Sequence, residues 1–158
     1  MIKRILFIVI GGVGLCAVIA LGFALAPSDQ DAPTEMVVYK SRTCGCCVKW
    51  VEHMEEAGFS VKSINMRDMY TLKAQLGVPR NAHSCHTAVI DEYVIEGHVP
   101  LNQVTRLLKE KPNILGIAVP GMPIGSLGME GPNAQSYDVV TFDKTDTTGV
   151  YAHIQPIQ

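Results

Sequence analysis

Cys44-Gly45-Cys46-Cys47 places three thiols within four positions. The thiolate, not the thiol, attacks disulfides and binds metals. Cys44 and Cys47 keep the Cys-x-x-Cys register of disulfide exchange, and Cys46 sets a third sulfur between them. For two-electron exchange a third thiol is a competing partner. For a soft metal it is an asset, because thiolates bridge copper(I) ions. Adjacent Cys46 and Cys47 could join only through a strained ring, and the loops closed within such a run are too short to restrict an unfolded chain much. One bridge stays open, from Cys44 to Cys47 or from the cluster to Cys85.

Cys85 is far off in sequence, and pairing of strands should bring it near. If Asp91-Glu92 is a two-residue hairpin turn, Ile90 faces Tyr93, and counting back sets Cys85 opposite His98. Directly opposed residues share a face, with Cβ atoms roughly 5 Å apart. The same alternation sends His86 to the other face unless the strand starts only after it. His98 is favoured by geometry and His86 by adjacency, so both stay as candidates. Met122 and Met129 add thioethers, which bind copper and rarely zinc, although gap-filling under a loop is the plainer reading of two methionines. The candidate metal ligands are therefore Cys44, Cys46, Cys47, Cys85, His86, His98 and Met122, with Met129 beside them. Zinc is the rival metal, but its structural sites usually space paired ligands more widely. Copper(I) in a multinuclear, sulfur-bridged site fits the crowded run better. His53, His83 and His153 read as ordinary histidines, and Trp50 as core.

The elements that must position these residues follow from periodicity. Met36 to Lys40 reads as a strand, and Cys46 to Ala57 as a helix with Val48, Val51, Met54 and Trp50 inward. Gly58 ends that helix. Phe59 to Met66 alternates like a strand, and Asp68 caps a short helix reaching Leu76. This start of a helix straight after a strand puts exposed N–H groups and a positive dipole end beside the cysteines, favouring thiolate. Thr87–Ile90 and Tyr93–Glu96 form a hairpin in which Glu92 is an awkward turn residue, since tight turns prefer Gly where φ is positive. Leu101 to Lys111 is a helix with Val104, Leu107 and Leu108 inward. Ile114 to Pro132 carries five Gly and three Pro and reads as loop. Val139–Phe142 and Val150–Ile154 are late strands. The order β-α-β-α-β-β-α predicts an α/β fold, a thioredoxin-like mixed sheet flanked by helices.

The N-terminus accounts for the positive mean hydropathy. Lys3 and Arg4 precede an uncharged run from Ile5 to Ala26, the layout of a secretory signal. Its length is also near the ~20 residues of a spanning helix, and Pro27 would hinder cleavage after Ala26. Residues 1–26 are thus a signal peptide or a membrane anchor, 27–35 a polar linker, and 36–158 one metal-binding domain. Both routes export the domain to the periplasm. Cys16 lies within the apolar run as filler. Subtracting Lys3 and Arg4 from the 13 basic residues leaves 11 against 15 acidic ones, with no basic run, which argues against a nucleic-acid partner.

Four motifs together are similar to a known family. The strand–Cys-Gly-Cys-Cys–helix opening, Ser84-Cys-His-Thr-Ala-Val89, Tyr93-Val-Ile-Glu-Gly-His-Val-Pro100, and Val119-Pro-Gly-Met-Pro123 with Gly125-Ser-Leu-Gly-Met-Glu130 resemble CopG-type periplasmic copper-resistance proteins. The likeness spans about Met36 to Ile154. It implies a thioredoxin-like fold, a cysteine-bridged copper cluster on Cys44, Cys46, Cys47 and Cys85, and a role in copper tolerance. It carries the family histidines onto His86 and His98, and its methionine loop onto Met122 and Met129. Glu92 departs from a turn glycine, and Leu127 from a frequent proline. The partners implied are copper ions and copper-handling envelope proteins, with an inner-membrane tether if residues 5–26 are retained. The alternative is a thiol–disulfide oxidoreductase using Cys44 and Cys47.

Overall fold

A computed structural model describes residues 35–156. The signal or anchor segment and all but the last residue of the linker lie outside the described residues. In chain order the elements are β1 (Glu35–Lys40), α1 (Gly45–Glu56), β2 (Ser60–Asn65), α2 (Met69–Gln75), β3 (His86–Ile90), β4 (Tyr93–Glu96), α3 (Leu101–Glu110), β5 (Gly116–Ala118), β6 (Tyr137–Phe142) and β7 (Thr147–Ile154). The seven strands make one mixed sheet in the order β2-β1-β3-β4-β5-β6-β7. β1 is parallel to β2 and antiparallel to β3, which forms a hairpin with β4. Beyond β4, β5 pairs in parallel and β6 and β7 continue antiparallel.

The first helix forms where predicted, with a different buried stripe. Cys47, Trp50, Val51 and Met54 face the core at helical spacing, whereas Val48 is 39 % exposed. A stripe through Cys47 and Trp50 leaves Val48 about a hundred degrees round the helix, on the open side. The indole Nε1–H of Trp50 donates to the Val99 carbonyl at 2.9 Å, so the core face keeps its polar atom satisfied. Asp68 caps α2 as expected, its carboxylate accepting from the Thr71 amide at 3.0 Å.

Alternation divides the sheet between two cores. Met36, Val38, Ala88, Ile90 and Ile95 pack with Trp50 and Met54 of α1 and with Val104 and Leu107 of α3. Val94, Ala118 and Phe142 pack on the other face with Val78 and Ala82. The hairpin register is Ile90↔Tyr93, as the two-residue turn requires. The positive φ that made Glu92 an awkward occupant falls on Asp91, at 49°. Aspartate tolerates that region, so glycine is not needed.

β5 is the element the sequence reading missed, lying inside the stretch read as loop. Its three residues are too few for a periodic signal, and Gly116 weakens strand propensity further. The glycine is there because backbone approaches it closely. A Cβ at Gly116 would collide with the Val94 carbonyl oxygen and stand 2.7 Å from Phe142 Cζ. β6 and β7 both begin earlier than the sequence suggested: β7 at Thr147, because Asp143 to Asp146 alone make the turn, and β6 at Tyr137, because that residue still has Ile154 as its partner. We expect Gly116→Ala to cost about 3 kcal/mol by parting β4 from β5 and crowding Phe142, measured by urea unfolding of the metal-free protein. An unchanged midpoint would remove this account of the glycine.

Candidate metal centre

The carboxyl end of β1 and the start of β3 lie side by side, since Lys40 is paired with His86. The chain leaves β1, turns through Ser41 to Thr43 and enters α1, with Cys44 at the N-cap position and no side-chain cap. Cys46 and Cys47 therefore occupy the first helical turn. Cys85 immediately precedes β3. The four sulfurs of Cys44, Cys46, Cys47 and Cys85 lie within 4.8 Å of one another.

Cys44 and Cys47 are joined in a disulfide, one of the two bridges left open by the spacing. Cys46 and Cys85 are free. Cys46 Sγ sits 3.5 Å from Cys44 Sγ, and Cys85 Sγ sits 3.4 Å from Cys47 Sγ. Each free thiol thus touches a different end of the bridge. That contact geometry suits either thiol–disulfide exchange or, after reduction, four sulfurs converging on soft ions.

Cys85 joins a second group with His86 and His98, whose ring nitrogens and the sulfur also lie within 4.8 Å of one another. His98 Nε2 approaches Cys85 Sγ at 2.9 Å and His86 Nδ1 approaches it at 3.3 Å. The hairpin arithmetic that set Cys85 against His98 is matched by this contact. His86 is reached too, for a reason the alternation rule did not include. His86, not a later residue, is the first ladder position, so Cys85 stands before the pleat and its side chain is not bound by it. The His86 ring faces the α1 side, 4.6 Å from the Trp50 ring and 5.0 Å from the His98 ring, centroid to centroid.

Both imidazoles are buried. Burial holds His86 well below the ordinary histidine value, and the neighbouring His98 and the Lys73 charge push the same way. Burial also lowers His98, opposed by its hydrogen bond to the Leu127 backbone. His98 Nδ1 lies 2.8 Å from the Leu127 carbonyl oxygen, which can only accept, so Nδ1 carries the proton. Nε2 is left with a lone pair directed at Cys85, the arrangement in which a metal-ligating histidine is oriented from behind. His86 Nε2 is buried without a partner. Burial is the first cause that pushes the Cys85 thiol up, to about 12, with Cys46 adding to it. A cation brought among these sulfurs would reverse that, since metal binding displaces thiol protons.

The glycine-rich segment after β5 closes over this end of the molecule. Gly128 adopts φ of 84°, and a Cβ there would lie 2.9 Å from both the Cys46 carbonyl oxygen and the Trp50 backbone nitrogen. This close approach is what delivers the Leu127 carbonyl to His98. It is a backbone group, so leucine in place of proline leaves it intact. Met129 shares an open cavity of about 500 Å³ with Cys46, Lys49 and Glu130. Met122 is 54 % exposed.

The remaining histidines have local partners. His53 lies 3.6 Å from Glu56 and 3.4 Å from Glu130. His153 pairs with Asp138 across β6 and β7, and His83 contacts the Val78 carbonyl. Sequence reasoning missed Lys73, Thr87 and Glu96, a buried polar group behind the Cys85 loop. Its one visible signal was a glutamate closing the otherwise apolar Tyr93-Val-Ile-Glu96.

A mixed α/β domain that gathers four sulfurs and two neutral imidazoles is equipped to bind a soft metal. Comparison with known proteins agrees. Residues 82–129 match the family described as "Protein of unknown function, DUF411". Two solved structures, "Copper resistance protein copG- Form 2" and "Copper resistance protein copG- Form 1", are each 40% identical with a TM-score of 0.72. The first alignment covers 78% of this chain and 100% of that chain, and the second 79% and 99%. No curated protein matches. This chain belongs to the CopG-type copper-resistance family.

Because the folded imidazoles resist protonation, acid should destabilise the metal-free protein. Unfolding lets both histidines take protons, so stability present above the ordinary value of 6.5 is lost as pH falls below it. His86→Gln should flatten that slope in urea melts across the same range. An equally steep slope in the variant would contradict the assignment.

Proposed function

We propose that this chain is an exported copper-binding protein of the bacterial envelope that serves copper tolerance. It holds copper(I) in a multinuclear centre built from Cys44, Cys46, Cys47, Cys85, His86 and His98. The observation that carries this reading is the sharing of Cys85 between two donor groups, one of four sulfurs and one of a sulfur and two imidazoles. One four-coordinate ion cannot use six donors. Two or more ions bridged by thiolates can. The β1-α1-β2-α2-β3-β4-α3 order, with β1 between β2 and β3, supports a thioredoxin-like core carrying a β5-β6-β7 extension. Met129, which shares the cavity beside Cys46, is the better placed loop methionine. Met122 joins only as an outer thioether.

Export rests on the basic head and apolar run of residues 1–26, which either leave the chain or tether it to the inner membrane. Among the described residues no helix is long and apolar enough to cross a membrane. Envelope copper-handling proteins are the partners this location implies.

The Cys44–Cys47 bridge supports a second, redox reading. Reducing it takes two electrons and two protons and frees both thiols; reoxidation returns them. The metal centre and the bridge compete for the same two sulfurs, so redox state would set how many donors are free.

Anaerobic titration of the reduced protein with copper(I) tests the first reading. We expect more than one ion per chain, and fewer in Cys46→Ser. A strict one-to-one zinc complex preferred over copper would overturn it. Turnover of a disulfide substrate that persists in strong chelator and in Cys46→Ser would favour the oxidoreductase instead.

A further inference from the structure

Glu96 ends β4 opposite Thr87, on the sheet face turned away from α1. Its side chain is fully buried. One carboxylate oxygen accepts from Lys73 Nζ at 2.5 Å and from the backbone N–H of Ser84 at 2.6 Å. The other accepts from the Thr87 hydroxyl at 2.7 Å, and Lys73 Nζ also donates to that hydroxyl oxygen at 2.9 Å. Ser84 is the residue before Cys85. Its own hydroxyl donates to the Gly121 carbonyl, and Gly97 packs against it with no room for a Cβ.

A buried ion pair is a poor stabiliser in itself. Apolar side chains of like volume often replace one at no cost, because desolvation offsets the attraction. The pair is better explained by what it holds. Cys85 lies outside the β-ladder, so strand pairing alone does not set its position, and the Ser84 N–H is the nearest backbone group tied down from behind. We propose that Glu96, oriented by its hydrogen bonds to Lys73 and Thr87, is the positioning residue that fixes Cys85 within contact of Cys47. This rests on Cys85 belonging to the sulfur centre, and it concerns placement, not ligation.

The test needs no metal. In the full chain with Cys16→Ser, Cys44→Ser and Cys46→Ser, only Cys47 and Cys85 can form a bridge. Its equilibrium against glutathione gives the effective concentration of one thiol at the other. Glu96→Gln keeps an acceptor oxygen for Ser84 but gives up the charge, so its loss should be smaller than that of an apolar pair. Lys73→Met with Glu96→Leu makes the pair apolar; we expect the chain to stay folded, with a midpoint lowered by the unpaired Thr87 hydroxyl and Ser84 N–H, and a loss of about tenfold, the scale of one charge-assisted hydrogen bond. Ser84→Pro removes the donor itself, and His83, at ψ 138°, already has the backbone that a following proline demands. It should fall about tenfold below Ser84→Ala, which keeps the N–H. A folded apolar double variant with unchanged effective concentration, or Ser84→Pro matching Ser84→Ala, overturns the proposal. Failure of the copper reading would appear only in metal titration, and so stays separate.

Discussion

Antiparallel pairing of β1 with β3, in the register Lys40↔His86, is the constraint on which the rest depends. It lays the end of one strand beside the beginning of another, so the loop carrying three cysteines meets the loop carrying the fourth. A slip of one residue would carry His86 to the opposite face and part it from Trp50 and His98. The register is protected by what it buries. Met36 and Val38 on β1 and Ala88 and Ile90 on β3 share the core beneath α1 and α3.

Over that frame, the chemistry depends on which groups are neutral. Removing two imidazoles from water disfavours their cations, leaving lone pairs free for a ligand. The Leu127 carbonyl decides which nitrogen of His98 presents one. That carbonyl is in reach because Gly128 lies against α1 where a side chain would not fit. One glycine in a loop read as irregular thus controls a tautomer beside the sulfur cluster. The thiol of Cys85 is held protonated by the same burial. Arrival of a soft cation and loss of that proton are coupled events.

Sulfur in this centre has two mutually exclusive uses. With Cys44 and Cys47 bridged, two thiols and two imidazoles remain; with the bridge open, two more sulfurs join them. The bridge closes a span of three residues, too short to matter much to the stability of the fold. Its consequence is chemical. The extension β5-β6-β7 widens the sheet on the side away from α1, and the segment between β5 and β6 returns to cover the centre.

Sequence alone determined the local elements and the chemistry of the cluster. Three thiols in four residues, Asp68 ahead of a short helix, and alternation through the hairpin are properties of neighbours along the chain. Two-residue turn arithmetic even carried Cys85 to His98, because a hairpin is a local structure with an integer register. What depended on distant contacts was not legible. Val48 seemed core until the turn of α1 against the sheet put Cys47 inward and left Val48 on the open side. β5 became a strand only by lying between β4 and β6. Lys73, Thr87 and Glu96 took their roles from burial, which no periodicity reports for a single polar residue. Tertiary structure decided these because hydrogen-bond partners, desolvation and close backbone approach arise between segments far apart in the chain.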